Sequence, residues 1–220
     1  MTNVIVERDS PVTLVGAGAL SAGDFAAARA VAPSLVAADG GAAHALAAGH
    51  MPDAVIGDLD SLEASVRAQL PAEQLHHLRE QTTTDFDKAL RMIRAPVVVG
   101  IGFLGARLDH QLAALSILMQ RHPSPCVLLG ANEVVFHVPE TLSLPLTAGE
   151  IVSLFPMQRV RGRSVGLEWP IDGLELDPLG RIGTSNRALG PLRLEMEGPG
   201  LLAMVPRARL EQVVAALWSQ

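Results

Sequence analysis

Short apolar runs alternate with segments of helical periodicity through roughly the first 130 residues of the chain. Runs of this kind are typical of strands buried on both faces of a sheet. Predicted strands cover residues 12–16, 34–39, 53–58, 74–78, 96–101 and 125–130. Predicted helices cover residues 21–31, 41–49, 61–69, 85–94 and 109–122. The alternation indicates a parallel, doubly wound sheet covered by helices, and therefore an α/β domain.

The pattern changes after about residue 132, where short runs alternate apolar with polar residues between prolines and glycines. This spacing predicts a smaller antiparallel β domain of the sandwich type. We therefore expect an α/β domain at residues 1–140 and a β-sandwich domain at 141–220, with the boundary between 138 and 146. The closing segment LEQVVAALWSQ fits either a short helix or a last strand.

Composition narrows the class of protein. Hydrophobic residues make up 49% of the 220, yet no apolar run reaches the roughly 18 residues of a membrane-spanning helix. We therefore expect no membrane partner. A formal net charge of −6 argues against a nucleic-acid partner, which needs a concentrated basic face. The N-terminus lacks a secretory signal and the lone Cys126 has no disulfide partner, so we expect a cytoplasmic protein.

Aspartates follow several of the predicted strands. They are Asp39, Asp58, Asp60, Asp85 and Asp109. In a doubly wound sheet ligands bind beyond the carboxyl ends of the strands, so these carboxylates meet at one edge and repel each other unless a positive charge lies there. A hard divalent cation such as Mg²⁺, which prefers carboxylate oxygen, is the simplest partner.

Each aspartate also has a simpler interpretation. Asp85 and Asp109 stand where predicted helices begin, and a helix cap is the better explanation of either one alone. Asp58 and Asp60 of GDLDS are two residues apart, so in an extended chain both point to the same side. This pair favours a metal site, with Gly57 leaving room in front of it.

Glycines and basic residues supply candidate phosphate contacts. The glycines that open or precede predicted helices are Gly40, Gly41, Gly102 and Gly105. Backbone amides at a helix start attract phosphate, and Arg107 adds a bidentate charge. Lys88 is the only lysine in the sequence and lies in the first turn of its predicted helix. An ordinary exposed lysine paired with Asp85 is the simpler interpretation of Lys88.

A partial dinucleotide-binding pattern is also present. Gly16 and Gly18 follow a predicted strand, and Asp39 lies 21 residues beyond Gly18. The third glycine of that pattern is replaced by Ser21. A dinucleotide-binding oxidoreductase therefore stays open as a poorer alternative, since it leaves GDLDS, TTTDFDK and ARLDH without a role.

Five ordered motifs together resemble the thiamine pyrophosphokinase (thiamine diphosphokinase) family. They are AADGGAAHAL, MPDAVIGDLDSL, TTTDFDKAL, GFLGARLDHQLAAL and, far downstream, GTSN, and the resemblance runs from about residue 12 to 205. The resemblance implies a catalytic α/β domain followed by a β-sandwich domain that binds thiamine and forms the dimer. It also implies a homodimer with active sites between subunits, and Mg²⁺-dependent transfer of diphosphate from ATP to thiamine with release of AMP.

The resemblance also assigns roles to residues. It implies that Mg²⁺ and the nucleotide phosphates are bound by Asp58, Asp60, Asp85 and Asp109. The residues that it places beside the nucleotide are Asp39, Gly40, Gly41, Gly102 and Gly105. Arg107 and Lys88 stabilise the transferred charge. Thr184, Ser185 and Asn186 of GTSN lie at the thiamine pyrimidine, where a hydroxyl and an amide can read the ring edge. Trp169 stacks on thiamine or fills the core of the β domain. Leu59 stands where many members have an aromatic residue.

A related enzyme acting on another primary alcohol is the closest alternative. A diphosphokinase of hydroxymethylpterin keeps the same phosphate apparatus and changes the acceptor pocket. The GTSN motif favours thiamine as the acceptor.

Overall fold

The computed structural model describes residues 4–105 and 107–219, and the chain divides into two compact units. These units are Met1–Leu129 and Gly130–Gln220. The division falls earlier than the expected boundary at residue 140, because residues 133–137 pair with a strand of the second unit. Among the described residues, no helix is long and apolar enough to cross a bilayer.

Short strands and helices alternate through the first unit. Its strands are β1 (Val6–Glu7), β2 (Val12–Val15), β3 (Ser34–Ala38), β4 (Ala54–Gly57), β5 (Leu75–His77), β6 (Ile93–Arg94), β7 (Val98–Ile101) and β8 (Cys126–Leu129). Its helices are α1 (Asp24–Val31), α2 (Gly41–Ala47), α3 (Ala64–Arg67), α4 (Asp85–Met92) and α5 (Leu108–Ile117). Together with the second unit this confirms the predicted mixed α/β class.

A parallel sheet in the order β5-β4-β3-β2-β7-β8 forms the centre of this unit. Strands β2, β4 and β7 are buried at every position, which explains why they read as continuous apolar runs. The buried hydroxyl of Thr13 in β2 donates to the Ala32 carbonyl at 2.6 Å. The strand order reverses between β2 and β7, and such a reversal opens a crevice for ligands at the carboxyl ends.

All five helices of the first unit are shorter than predicted, and α3 and α5 differ most. Helix α3 begins only at Ala64, because Glu63 before it has a non-helical backbone, with φ of −58° and ψ of 146°. Helix α5 ends at Ile117, since Met119 and Gln120 donate to carbonyls three residues back and Pro123 follows. Both differences come from the ends of the helices, where tertiary contacts override the apolar periodicity.

The second unit consists of antiparallel strands and a closing helix. Its strands are β9 (Glu133–His137), β10 (Thr141–Leu144), β11 (Ile151–Pro156), β12 (Val160–Leu167), β13 (Glu175–Leu176), β14 (Gly183–Met196) and β15 (Leu201–Pro206). The strand order is β13-β12-β14-β11-β15-β9, and β10 also pairs with β14. The long strand β14 pairs with β11 through its first residues and with β12 and β10 through its later ones.

The closing segment forms helix α6 (Leu210–Trp218) rather than a strand. It buries Leu210, Val213, Val214 and Leu217, which share one face at helical spacing. The alternative of a last strand is therefore wrong.

Replacing Leu14 with Ala tests the buried position of β2. Leu14 is fully buried, so we expect the free energy of unfolding to fall by about 2–5 kcal/mol in urea titrations followed by circular dichroism. The matched control is Leu108→Ala on α5, where the side chain is 69% exposed and the expected change is within about 0.5 kcal/mol. Equal losses in the two variants would contradict the assignment of β2 to the core.

Candidate active site

A cavity of about 480 Å³ opens at the carboxyl ends of the parallel strands in the first unit. The loops after β2 and β7 line it, so it lies at the reversal of the strand order, where ligands of such sheets bind. Its lining residues are Gly16, Ala17, Gly18, Ala38, Asp39, Gly40, Ser61, Thr84, Asp85, Phe86, Gly102, Phe103, Arg107, His110, Ala113, Ala114 and Ile117. Its size suits a small-molecule ligand.

Glycine lets the two central loops approach each other closely. The Gly18 amide donates to the Gly102 carbonyl at 2.8 Å, and Gly102 has a φ of +73°. A Cβ on Gly16 would lie 2.5 Å from a ring atom of Phe103. These glycines therefore serve close packing beside the cavity.

The dinucleotide alternative finds no support in this geometry. Helix α1 begins only at Asp24, whose carboxylate accepts from the Ser21 amide at 2.7 Å, so Gly18 does not open a helix onto the cavity. Asp39, the expected ribose ligand of that alternative, is buried among other carboxylates.

Three aspartates from two strand ends form a tight cluster. Asp39 after β3 and Asp58 and Asp60 after β4 each offer one oxygen, and these oxygens lie within 4.8 Å of one another. Asp39 is 3% exposed and has a φ of 42°, and Leu59 between the other two has a φ of 60°. Left-handed backbone is unfavourable for a bulky residue such as Leu59, and strain of this kind gathers at functional sites.

Lys88 provides the positive charge behind this cluster. Its side chain is 1% exposed, and its Nζ donates to Asp58 Oδ2 at 2.8 Å and to Asp85 Oδ1 at 2.9 Å. Burial alone would lower the pKa of Lys88, but the hydrogen bonds to both carboxylates raise it above its ordinary value, so the ammonium stays charged. The interpretation of Lys88 as an exposed lysine is wrong, although its pairing with Asp85 is confirmed.

The carboxylates of the cluster differ in proton affinity. The hydrogen bond from Lys88 lowers the pKa of Asp58. Burial, together with the nearby charges of Asp85 and Asp58, raises the pKa of Asp39. Asp39 therefore holds its proton more readily than Asp58 does.

Two oxygens of the cluster fit a cation. Asp39 Oδ1 and Asp58 Oδ1 are buried and have no hydrogen-bond partner among the described residues. Buried polar atoms are normally paired, so two unpaired carboxylate oxygens next to a third carboxylate call for a positive ligand. A set made only of carboxylate oxygens suits Mg²⁺. Asp39 was expected beside the nucleotide, and the structure places it in the acidic cluster with Asp58 and Asp60.

Asp85 joins the cluster through other contacts. It is the first residue of α4, and its Oδ1 accepts from the Asp58 amide at 3.4 Å as well as from Lys88. Thr84 caps the helix by accepting from the Asp87 amide. The interpretation of Asp85 as the cap is therefore wrong, since Thr84 already occupies that position.

Asp109 lies apart from the three clustered aspartates. Arg107 donates to it through Nε at 3.2 Å and Nη2 at 2.6 Å, and this pairing lowers the pKa of Asp109. Both side chains are exposed, and Arg107 rather than Asp109 lines the cavity. Arg107 also occupies the cap position of α5, so Asp109 is not its cap. A direct metal contact by Asp109 stays a prediction.

Only some of the residues expected to contact phosphate line the cavity. Gly40, Gly102 and Arg107 line the cavity. Gly41 is the buried first residue of α2, where a Cβ would lie 2.1 Å from the Val15 carbonyl oxygen, so packing explains it. Gly105, with a φ of +82°, lies outside the lining, and Ala106 of the same loop is outside the described residues.

Several lining residues were missed from the sequence. Phe86 and Phe103 face each other with ring centroids 4.2 Å apart, and both line the cavity. Phe103 lies inside the GFLG loop, so its position between two glycines was an available signal. His110 and Thr84 gave no signal, because single polar residues at helix starts are common.

The second unit contains the GTSN motif at the start of β14. Asn186 is 4% exposed, and its side-chain nitrogen donates to the Trp169 carbonyl at 2.7 Å while its oxygen accepts from the Trp169 amide at 3.2 Å. The Trp169 side chain is 56% exposed, so its interpretation as a core tryptophan is wrong. Thr184 and Ser185 are exposed, and Ser185 has a φ of 60°.

Comparison with known proteins gives consistent matches. Residues 27–128 match the family model described as thiamin pyrophosphokinase, catalytic domain. A relative named thiamine pyrophosphokinase 1 from Oryza sativa subsp. japonica is 29% identical over 156 residues, covering 62% of this chain and 59% of the relative. The chain thus spans about three fifths of the length of the curated relatives that it matches.

Solved structures share the fold. Thiamin pyrophosphokinase from Candida albicans superposes with a TM-score of 0.75 at 15% identity, covering 91% of this chain and 92% of that one. Thiamine pyrophosphokinase from Bacillus subtilis gives a TM-score of 0.73 at 19% identity, covering 89% and 98% of the two chains. Residues 27–128 are therefore similar to the catalytic domain of thiamin pyrophosphokinases, and the chain shares its fold with solved proteins of that name.

Proposed function

We propose that this protein is a thiamine diphosphokinase that transfers diphosphate from ATP to thiamine and releases AMP. The observation that carries the proposal is the carboxylate cluster beside a cavity at the strand ends, within residues that match the catalytic-domain family. The first unit would bind ATP and metal. The second unit, for which we propose a β-sandwich arrangement, would bind thiamine and form the dimer.

Mg²⁺ is the proposed cofactor. Asp39, Asp58 and Asp60 would hold it through the oxygens that lie within 4.8 Å of one another, with Asp85 adjacent. Asp109 is kept as a proposed ligand on the strength of the family resemblance alone. When bound, Mg²⁺ neutralises the charge of the phosphate oxygens during transfer.

The protein itself contributes positioning and charge. The thiamine hydroxyl oxygen forms a bond to the β-phosphorus of ATP, while the bond to the α–β bridging oxygen breaks and its electron pair leaves with AMP. Arg107 lines the cavity and would stabilise that leaving charge. The hydroxyl proton passes to a carboxylate, for which Asp85 and Asp60 are the candidates. Such transfers depend on alignment more than on covalent help.

The cavity also suits the nucleotide. Gly40 and Gly102 present backbone to its interior, which lets phosphate approach closely. Ala113, Ala114 and Ile117 of α5, with the Phe86 and Phe103 rings, make an apolar wall that suits a flat base. These features support ATP as the co-substrate.

The exposed tryptophan supports a thiamine subsite in the second unit. Trp169 offers its ring face, and a thiazolium ring carries a fixed positive charge that aromatic faces attract. Asn186 is occupied with the Trp169 backbone, so we propose that it orients this segment, while Thr184 and Ser185 contact the substrate.

We also propose a homodimer with active sites between subunits. The second unit exposes several large apolar side chains, which indicates an interaction surface. They are Ile151, Val165, Trp169, Leu179, Ile182 and Leu189. A cytoplasmic location remains a proposal made from the composition and the lone cysteine.

A coupled AMP-release assay across acceptors tests the function directly. With ATP and Mg²⁺ we expect AMP release to depend on thiamine and not on hydroxymethylpterin. Release with the pterin alone would assign the alternative diphosphokinase, and binding of NAD(H) without any Mg²⁺ dependence would favour the oxidoreductase.

Asp58→Asn and Asp60→Asn test the metal site. Each change removes one negative oxygen ligand, so we expect AMP release to fall by about 100-fold or more. Asp53→Asn is the matched control, because Asp53 is an exposed carboxylate just before β4 that pairs with Arg8. Near-normal activity of both cluster variants would rule out the proposed metal ligands.

Trp169→Ala tests the thiamine subsite. Loss of stacking and of the cation–π contact is expected to weaken thiamine binding about tenfold by calorimetry. Trp218→Ala removes another half-exposed indole, on α6, and should leave the affinity unchanged. If both variants bind thiamine as the wild type does, Trp169 takes no part in recognition.

A further inference from the structure

Lys88 is the largest fully buried side chain among the described residues. Full burial is unusual for a lysine. It projects from α4, whose start is fixed by the Thr84 cap, and the Lys88 amide donates to the Thr84 carbonyl at 2.9 Å. Its neighbours Ala89 and Leu90 are fully buried. The ammonium is therefore held by a rigid element rather than by a mobile surface.

The Nζ atom of Lys88 contacts only one oxygen of each of two carboxylates. It takes Oδ2 of Asp58 and Oδ1 of Asp85, and the latter also accepts from the Asp58 amide. Asp58 Oδ1 is left without a partner among the described residues, and Oδ2 of Asp85 lies outside these contacts. Each of the two carboxylates thus keeps one oxygen for another ligand.

This division bears on the choice between divalent cations. Ca²⁺ takes six to eight oxygens and often binds both oxygens of a carboxylate, whereas Mg²⁺ takes few protein oxygens, one from each group, and keeps several waters. We propose that Lys88 sets the cation preference of the acidic cluster, because it withholds one oxygen of Asp58 and one of Asp85 and so disfavours Ca²⁺. The inference rests on the proposed Mg²⁺ site.

The same geometry argues against Lys88 as a phosphate ligand. It does not line the cavity, and two of its three donors are used within hydrogen-bond distance of carboxylates. Contact with a phosphate would require it to leave both ion pairs and expose a buried ammonium. Lys88 is therefore a positioning residue, which acts through Asp58 and Asp85.

The test is the affinity of the protein for each metal alone, measured by calorimetry with MgCl₂ and CaCl₂. In Lys88→Met, Asp58 regains both oxygens and Asp85 Oδ1 keeps only its long contact with the Asp58 amide, so the affinity for Ca²⁺ relative to Mg²⁺ should rise about tenfold or more, equivalent to about 1.4 kcal/mol. Lys88→Arg keeps a charged donor at this position and should restore a ratio close to that of the wild type.

The matched control is Arg91→Met on the same helix. Arg91 pairs with Asp87 and Glu80, outside the cluster, so the ratio should not change. Circular dichroism establishes that each variant folds. If Lys88→Met does not fold, Lys88→Gln replaces it, because its amide can donate to one of the two oxygens and should give a smaller rise in the same direction.

Two outcomes would overturn the inference, and they are distinguishable. In the first, the wild type binds Mg²⁺ and the folded Lys88 variants have the same ratio of Mg²⁺ to Ca²⁺ affinity. This result would exclude the role of Lys88 and retain the metal site. A wild type that binds neither cation removes both the metal site and the role of Lys88.

Discussion

Carboxylates a few ångströms apart repel each other, and the site depends on the buried ammonium of Lys88 that compensates this repulsion. Removing one partner of a buried ion pair is far more damaging than the net stabilisation by the pair suggests, because an uncompensated charge remains. Helix α4 must therefore dock with Lys88 turned toward the end of β4. The orientation of that helix and the shape of the acidic cluster are consequences of one contact.

Backbone geometry supplies the second constraint. A Cβ on Gly57 would lie 2.8 Å from the Cβ of Asp39 and 3.1 Å from Asp85 Oδ1, so the missing side chain allows these acids to come together. Asp39 tolerates its left-handed conformation, as aspartate often does, but Leu59 does so against its preference. Burial of the Leu59 side chain, which is 7% exposed, offsets that strain and fixes the two flanking aspartates.

The sequence predicted the elements well where burial leaves a continuous apolar run, as in β2, β4 and β7. It also predicted that Asp58 and Asp60 lie close together, but for the wrong reason, because β4 ends at Gly57 and the left-handed Leu59, rather than an extended chain, separates the two aspartates. It could not predict the burial of Lys88, which depends on how α4 packs against the sheet. The pairing of Arg107 with Asp109 likewise depends on side-chain conformations that no spacing specifies.

Contacts between distant residues were the hardest to foresee in the second unit. Asn186 was expected to read the substrate, yet it reaches Trp169 across neighbouring strands, because β12 and β14 pair with Leu167 opposite Ala188. An asparagine in a short sequence motif gives no indication of which backbone its amide will contact. Only the strand register reveals the partner.

The Asn186 side chain holds Trp169 through its main chain alone, because it contacts the Trp169 amide and carbonyl. These two hydrogen bonds do not restrain the indole. Because the anchor is on the main chain, the position of the backbone at residue 169 does not depend on which side chain stands there. A substitution at position 169 would therefore change the exposed ring without removing either hydrogen bond, whereas a substitution at position 186 would remove both.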